Sequence, residues 1–241
     1  MNSDLAGSIR RRYQEVLERI SERAVQARRD PRSIRLVVVT KSQPLPVVQA
    51  AVQAGACCLG ENYVEEAAVK VHALATSGIE WHMIGHVQGR KAAEVVELFT
   101  VLHSLDSLKL AQRLERFCLQ SNRRLRVLLE FNVGGEASKS GFPAWEEGTW
   151  PALAGSLEGL AACKQLEVRG LMTMPPFFQA PEQVRPYFQR LRTLQAFLAR
   201  RLPDLDWSEL SMGTSGDYLV AVEEGATIVR IGQAILGPRP G

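Results

Sequence analysis

The stretch Arg35-Leu36-Val37-Val38-Val39-Thr40-Lys41 reads as a strand buried on both faces, because its apolar residues are continuous and mostly β-branched. A strand of that kind belongs to a parallel sheet covered by helices. This one ends on a lysine. Keeping an ammonium at the mouth of a buried strand is costly, so such a lysine tends toward a lowered pKa and a usable neutral amine, the form that condenses with an aldehyde. The plainer alternative is that Lys41 has reached solvent where the strand stops.

On either side of this strand the pattern is regular. Strands are expected at 35–40, 57–60, 80–84, 101–104, 126–132, 167–172, 207–211 and 227–231, with amphipathic helices at 46–54, 63–75, 89–98, 107–118, 150–163, 181–201 and 218–224. A leading helix over 6–28 carries Ile9, Tyr13, Val16, Leu17 and Ile20 on one stripe and stops before Asp30-Pro31. Right-handed crossovers between parallel strands leave a doubly wound sheet or a closed barrel. Eight alternations in 241 residues favour a single (β/α)8 TIM barrel over 1–241, with 1–30 as an additional N-terminal helix. Polar and glycine-rich residues then follow the strands: Thr40-Lys41, Gly60-Glu61-Asn62, His82, Gly134-Gly135-Glu136, Met174-Pro175, Ser211-Met212-Gly213 and Gly232. In a barrel these converge on the face where active sites form.

Composition narrows the classes. A formal net charge of +3, with Arg10-Arg11-Arg12 interleaved with Glu15, Glu18 and Glu22, describes a solvated helix face rather than a nucleic-acid footprint. Cys57, Cys58, Cys118 and Cys163 form no disulfide or CxxC framework, which places the chain in a reducing cytoplasm. No run is long enough to span a membrane, and the charged start lacks a signal-peptide core. With four histidines and no HxH or HExxH arrangement, a metal site has little support.

The second informative region is Leu210-Ser211-Met212-Gly213-Thr214-Ser215-Gly216-Asp217, followed by Val229-Arg230-Ile231-Gly232-Gln233. Its glycines let backbone N–H groups approach an anion, its hydroxyls can donate, and a helix starting near Asp217 would add its positive end. Alone this is an ordinary turn. After the last two strands of a barrel it is where phosphates bind. A reactive amine after the first strand and a phosphate cradle after the last two together indicate pyridoxal 5′-phosphate, an aldehyde that carries a phosphate.

Seven motifs in order carry a family resemblance: Val38-Val39-Thr40-Lys41, Gly60-Glu61-Asn62-Tyr63-Val64, Glu80-Trp81-His82-Met83-Ile84-Gly85, Asn132-Val133-Gly134-Gly135-Glu136 with Ser138-Lys139-Ser140-Gly141, Gly170-Leu171-Met172-Thr173-Met174-Pro175, Leu210-Ser211-Met212-Gly213 and Val229-Arg230-Ile231-Gly232. Over residues 35–237 the chain resembles the pyridoxal phosphate homeostasis proteins (the YggS/PROSC family). The resemblance implies a barrel similar to the N-terminal domain of alanine racemase, with the cofactor held as a Schiff base on Lys41. It implies Asn62 and His82 beside the ring, Arg230 at the pyridine nitrogen, and Ser211, Thr214, Ser215, Gly232 and Gln233 around the phosphate. A guanidinium keeps its proton, so the ring nitrogen stays unprotonated and the ring is a weak electron sink. That suits holding the cofactor for pyridoxal-dependent apo-enzymes better than broad amino-acid chemistry.

Three departures from the family pattern stand out: Thr214 and Gly216 in the phosphate loop, Gln233 where a hydroxyl residue is usual, and Gln88-Gly89-Arg90-Lys91 after the third strand. Other readings stay open at individual residues. His82 is either a packed histidine or an acid–base group, Glu61 either moves a proton or caps the next helix, and Lys139 either touches a ligand or is an exposed loop lysine. The second functional class is an amino-acid racemase of alanine-racemase type. Two-base racemisation needs a second proton-transfer group on the opposite face of the substrate, which alanine racemase obtains from a tyrosine that an additional β-rich domain helps to place, and with the chain ending at Gly241 that domain is not expected. A Schiff-base aldolase places its lysine later in the barrel. The expectation is therefore a non-catalytic, monomeric carrier.

Overall fold

The computed structural model describes residues 3–75 and 78–239. Nine strands form: β1 (Arg35–Val39), β2 (Cys58–Glu61), β3 (Glu80–Met83), β4 (Val101–Leu105), β5 (Leu125–Asn132), β6 (Phe142–Pro143), β7 (Leu166–Met172), β8 (Glu209–Ser211) and β9 (Ile228–Ile231). Pairing runs β4-β3-β2-β1-β9-β8-β7-β5, and β5 returns to β4, so eight parallel strands close into a ring. The ninth, β6, is a two-residue rider on β5, with Phe131 opposite Phe142. Closure leaves no free edge in the ring.

Helices α1 (Ser3–Gln26), α2 (Leu45–Gln53), α3 (Val64–Ala73), α4 (Ala92–Leu98), α5 (Leu108–Ser121), α6 (Trp150–Leu157), α7 (Arg185–Arg201), α8 (Tyr218–Glu223) and α9 (Gln233–Leu236) surround it. Their ends follow local chemistry. Ser107 caps α5 by accepting from the Leu110 N–H, and Asn122 closes it in the left-handed conformation. The leading helix α1 buries Ile9, Tyr13, Val16, Ile20 and Ala24 on one stripe, and packs on α2, α8 and α9. Each fully buried branched aliphatic of this stripe contributes roughly 1.5–3 kcal/mol. Polar ties add direction: Arg12 Nε donates to the Ile235 carbonyl at 2.6 Å and Arg29 Nη1 to the Val222 carbonyl at 2.6 Å. No helix among the described residues is long and apolar enough to cross a membrane.

Most of the core lies between the ring and its helices. A smaller apolar cluster fills the barrel interior with Val37, Cys58, Val101, Leu128, Met172 and Ile228, one residue from each of six strands. The expected strand over 207–211 is shorter than its apolar run, because Trp207 leaves the ladder. Its carbonyl accepts from Gln195 Nε2 at 2.5 Å and its indole N–H donates to the Leu202 carbonyl at 2.9 Å. Neither β6 nor α9 was expected, since two and four residues are too few to show a period.

Gly170 is where β7 and β8 come closest: a Cβ there would lie 1.9 Å from the Glu209 carbonyl oxygen. Backbone on a neighbouring strand cannot step aside as a side chain can. Gly170→Ala is expected to destabilise the fold by about 3 kcal/mol. A urea midpoint unchanged from wild type would show that the β7–β8 approach is not as close as described.

Candidate functional site

Register places the site. Val38 stands opposite Leu59 on β2 and opposite Ile231 on β9, so the three strands end level, bringing Lys41, Asn62 and Gly232 to one mouth of the barrel. A cavity of about 500 Å³ opens there. Of the expected site residues, Lys41, Asn62, Thr214, Ser215, Arg230, Gly232 and Gln233 line it. The wall also includes Lys139, for which a ligand-facing position was one of two open readings, and Glu130 and Arg239, to which nothing in the sequence points. Glu130 and Arg239 carried no local signal, because nothing around them departs from an ordinary strand and tail.

The amine of Lys41 has no hydrogen-bond or ion-pair partner among the described residues. Burial lowers its pKa from the ordinary lysine value and Arg239 lowers it further, against the opposing pull of Glu61 and Glu66. The result is an amine more readily neutral than an exposed one.

The backbone on both sides of Lys41 is clamped from α3. Lys70, itself 4% exposed, donates from Nζ to the Thr40 carbonyl at 2.7 Å, to Glu61 Oε1 at 2.7 Å and to Glu66 Oε1 at 2.5 Å. Glu66 Oε1 accepts in turn from the Ser42 N–H at 2.6 Å, and Ser42 has a left-handed φ of 58°. A non-glycine residue in that region is held by its surroundings. Glu61 therefore neither caps α3 nor lines the cavity. It is fully buried, accepts from Thr40 Oγ1 at 2.5 Å, and is raised above the usual carboxylate range chiefly by burial.

The phosphate loop differs from expectation at two residues. Both Thr214 donors are engaged: its N–H and hydroxyl donate to Asp217 Oδ1 at 2.5 and 3.1 Å. Ser215 is better placed to serve an anion, because its oxygen accepts from the Ala234 N–H at 3.3 Å and its hydroxyl proton stays available. Ser211 does not line the cavity. It is fully buried beneath it, where its oxygen accepts from Arg230 Nη1 at 2.5 Å.

Arg230 reaches the cavity wall while 3% exposed. Its Nη2 donates to the Thr173 carbonyl at 2.9 Å and lies 2.9 Å from Met174 Sδ. Burial brings its pKa down to about 10, against Asp217 and Glu130, so it remains a cation at neutral pH. His82 is likewise absent from the wall. It lies in the barrel interior with its Nδ1 2.8 Å from His103 Nε2, and His103 Nδ1 is 2.8 Å from Ser211 Oγ. The side chain of a strand residue points in or out by register, and this register aims His82 inward below the mouth.

A phosphorylated aldehyde fits these residues on one structural observation in particular. Asn62 Oδ1 is buried at the cavity wall with no hydrogen-bond partner, which in native proteins marks a place where a ligand or water completes the set. Gly232 supplies the close backbone, since a Cβ there would sit 2.9 Å from the Val39 carbonyl oxygen.

Comparison with known proteins agrees with this architecture. The family described as alanine racemase, N-terminal domain, matches residues 16–240. The pyridoxal phosphate homeostasis protein of Aquifex aeolicus is 38% identical over 228 residues, which cover 95% of this chain and 97% of that one. PipY of Synechococcus elongatus PCC7942, solved without PLP, is 34% identical with a TM-score of 0.80, over 90% of this chain and 100% of its own. The same protein with PLP bound has 33% identity and a TM-score of 0.74 over the same shares. Alanine racemase from Streptomyces coelicolor shares the fold alone, at 20% identity and a TM-score of 0.72 over 95% of this chain and 58% of the racemase.

Lys70→Met should destabilise the protein by about 3 kcal/mol, because it strands the Glu61 charge in the core. Adding Glu61→Leu should recover part of that loss. A double variant no more stable than the single one in urea unfolding would show that the two side chains do not act as a pair. The buried histidines predict a pH dependence. Burial lowers the pKa of His103 well below the usual histidine value, helped by His82, Arg230 and Arg35, and also lowers that of His82 against the pull of Glu80. The unfolded chain then takes up protons that the native rings refuse, so stability falls as pH drops below about 6.5, by up to roughly 1.4 kcal/mol per ring per pH unit. Glu61 and Glu130, raised by burial, pull the other way nearer the carboxylate range. Unfolding free energies that are equal at about pH 7.5 and about pH 5.5 would contradict buried, neutral rings.

Proposed function

Because this chain belongs to the pyridoxal phosphate homeostasis protein family, we propose that it binds pyridoxal 5′-phosphate at the barrel mouth, with Lys41 as covalent anchor, and helps maintain the intracellular supply of that cofactor. The observation that carries this reading is the unpartnered Lys41 amine in a cavity it shares with a buried arginine and an unsatisfied Asn62 oxygen. In this reading 1–241 is one cofactor-binding unit, working as a cytoplasmic monomer that passes cofactor to pyridoxal-dependent apo-enzymes.

When bound, the cofactor supplies an aldehyde carbon for linkage to an amine and a pyridine ring able to withdraw electrons. The chain supplies the rest. Lys41 offers an amine whose neutral form is favoured by burial and by the positive charge of Arg239. Ser215 and the backbone at Gly232 and Gln233 hold the phosphate, with Thr214 contributing less because Asp217 engages its donors. Asn62 would border the ring. Arg230 would face the ring nitrogen as a donor that gives up no proton, and the ring would then be a weak electron sink.

A carrier needs no more than this. Racemisation needs a second acid–base group on the far face of the substrate, and among the described residues no tyrosine lines the cavity. The proposed role is accordingly non-catalytic, with racemisation as the competing outcome of the test.

Reconstituted protein should show a visible absorption band that borohydride abolishes, with the added mass on Lys41. Lys41→Ala should lose the band yet unfold as wild type does, since the change lies at a strand mouth rather than in the core. Reduction that leaves Lys41 unmodified would refute the anchor. Holo-protein incubated with amino acids in deuterated water should exchange little α-hydrogen, and catalytic turnover there would favour the racemase reading.

A further inference from the structure

Below the cavity, five polar side chains cross the barrel interior in one continuous file. Arg230 on β9 contacts Ser211 on β8 at 2.5 Å, and Ser211 contacts His103 on β4 at 2.8 Å. His103 contacts His82 on β3 at 2.8 Å, and His82 Nε2 lies 2.8 Å from Glu80 Oε1 on the same strand. β8 and β9 do not pair with β3 or β4, so the file spans the barrel rather than following a ladder. At its far end Glu80 is held by Arg126 Nη2 at 2.5 Å, with Arg35 Nη1 4.0 Å away. His82, His103 and Ser211 are each fully buried, so bulk solvent does not reach a misdirected bond.

We infer that His103 and His82 are positioning residues for Arg230, and that the file runs one way only, each ring carrying its proton on Nε2 and accepting at Nδ1. The two ends dictate this. A guanidinium can only donate, so Ser211 Oγ is an acceptor toward Arg230. Among the described residues Ser211 has no other acceptor for its own proton than His103 Nδ1, and the reverse arrangement would leave a buried hydroxyl proton orphaned. His103 therefore has a bare Nδ1 and donates from Nε2 to His82 Nδ1. His82 in turn carries its proton on Nε2, facing a carboxylate that can only accept. The last contact is close but not straight, and a bare Nε2 there would set a lone pair against a carboxylate oxygen. Both ends thus require the same direction. An imidazolium at His103 is disfavoured first by burial, and then by His82 and by the Arg230 cation beyond Ser211.

The Cys58 thiol shares the far corner, its ligand atom within 4.8 Å of those of Glu80 and His82. Arg35 and Arg126 on the same carboxylate set the local charge against a cation. The file therefore serves the arginine. With Nη1 tied to Ser211, and Nη2 to Thr173 and beside Met174 Sδ, the guanidinium plane is fixed where Arg230 reaches the cavity wall. The role at the cofactor rests on the function proposed above, whereas the direction of the file does not.

The test is nitrogen-15 NMR of the full chain labelled at histidine, without cofactor. Two of the four histidine rings should show the neutral Nε2–H pattern and keep it as pH falls to about 5. A neutral Nδ1–H ring at either position, protonation at neutral pH, or a zinc-dependent shift of these two rings would overturn the directional file. Cofactor affinity is the second readout. His103→Leu should weaken pyridoxal 5′-phosphate binding about tenfold and shift the absorption maximum of the bound form. His103→Asn, which keeps an acceptor at the Nδ1 position, should bind within about threefold of wild type. Equal losses in both variants would reduce His103 to a packing residue. Wild-type protein that shows the expected rings yet binds no cofactor would refute the proposed function and leave the file standing.

Discussion

The pairing of β1 with both β2 and β9 is the constraint from which the site follows. Parallel strands that share a register end together, and this register brings Lys41, Asn62 and Gly232 from distant parts of the chain to one rim. Without the β1–β9 pairing the sheet would be open and its last strand would lie far from its first. Ring closure is therefore both the source of stability at the edges and the reason an amine and a phosphate loop face one cavity.

Charge buried in this barrel is organised into two separate devices. One is the Lys70, Glu61 and Glu66 cluster, which grips the main chain before and after Lys41 while leaving the Lys41 side chain unengaged. The other is the file from Arg230 to Glu80. Neither is a strong source of net stability, since desolvation offsets most of the attraction between buried charges. What they do contribute is definition: each ties a residue at the mouth to elements whose own positions are set by packing.

The two devices also bear on the division between carrier and catalyst. In the proposed role, a cofactor anchored on an amine of lowered pKa and met at its ring nitrogen by a cationic donor would be retained rather than activated for carbanion chemistry. The family is named for pyridoxal phosphate homeostasis, and PipY has been solved with PLP bound. The racemase likeness extends to the barrel, and at 20% identity it concerns the fold alone.

Much of this was legible in the order of residues. The run from Leu36 to Thr40 is too apolar and too β-branched to be anything but a covered strand, and repeating that signal eight times leaves a ring as the natural closure. Lys41 and the loop from Ser211 to Asp217 stood out because an amine or a set of hydroxyls beside such strands needs a reason. Contacts between residues far apart in the chain were not legible. His82 was expected beside the ring because the family resemblance implies it, but pleat and register turn it inward to His103. Thr214 looked like a phosphate donor until the loop folded it onto Asp217, and Glu61, open to a proton-moving or a capping role, is instead engaged by Lys70 from the second turn of α3. Periodicity along the chain reports which face of each element is dry, so it decides strands, helices and their succession. Which polar groups then meet across the interior depends on register and closure, which bring together residues that share no local pattern.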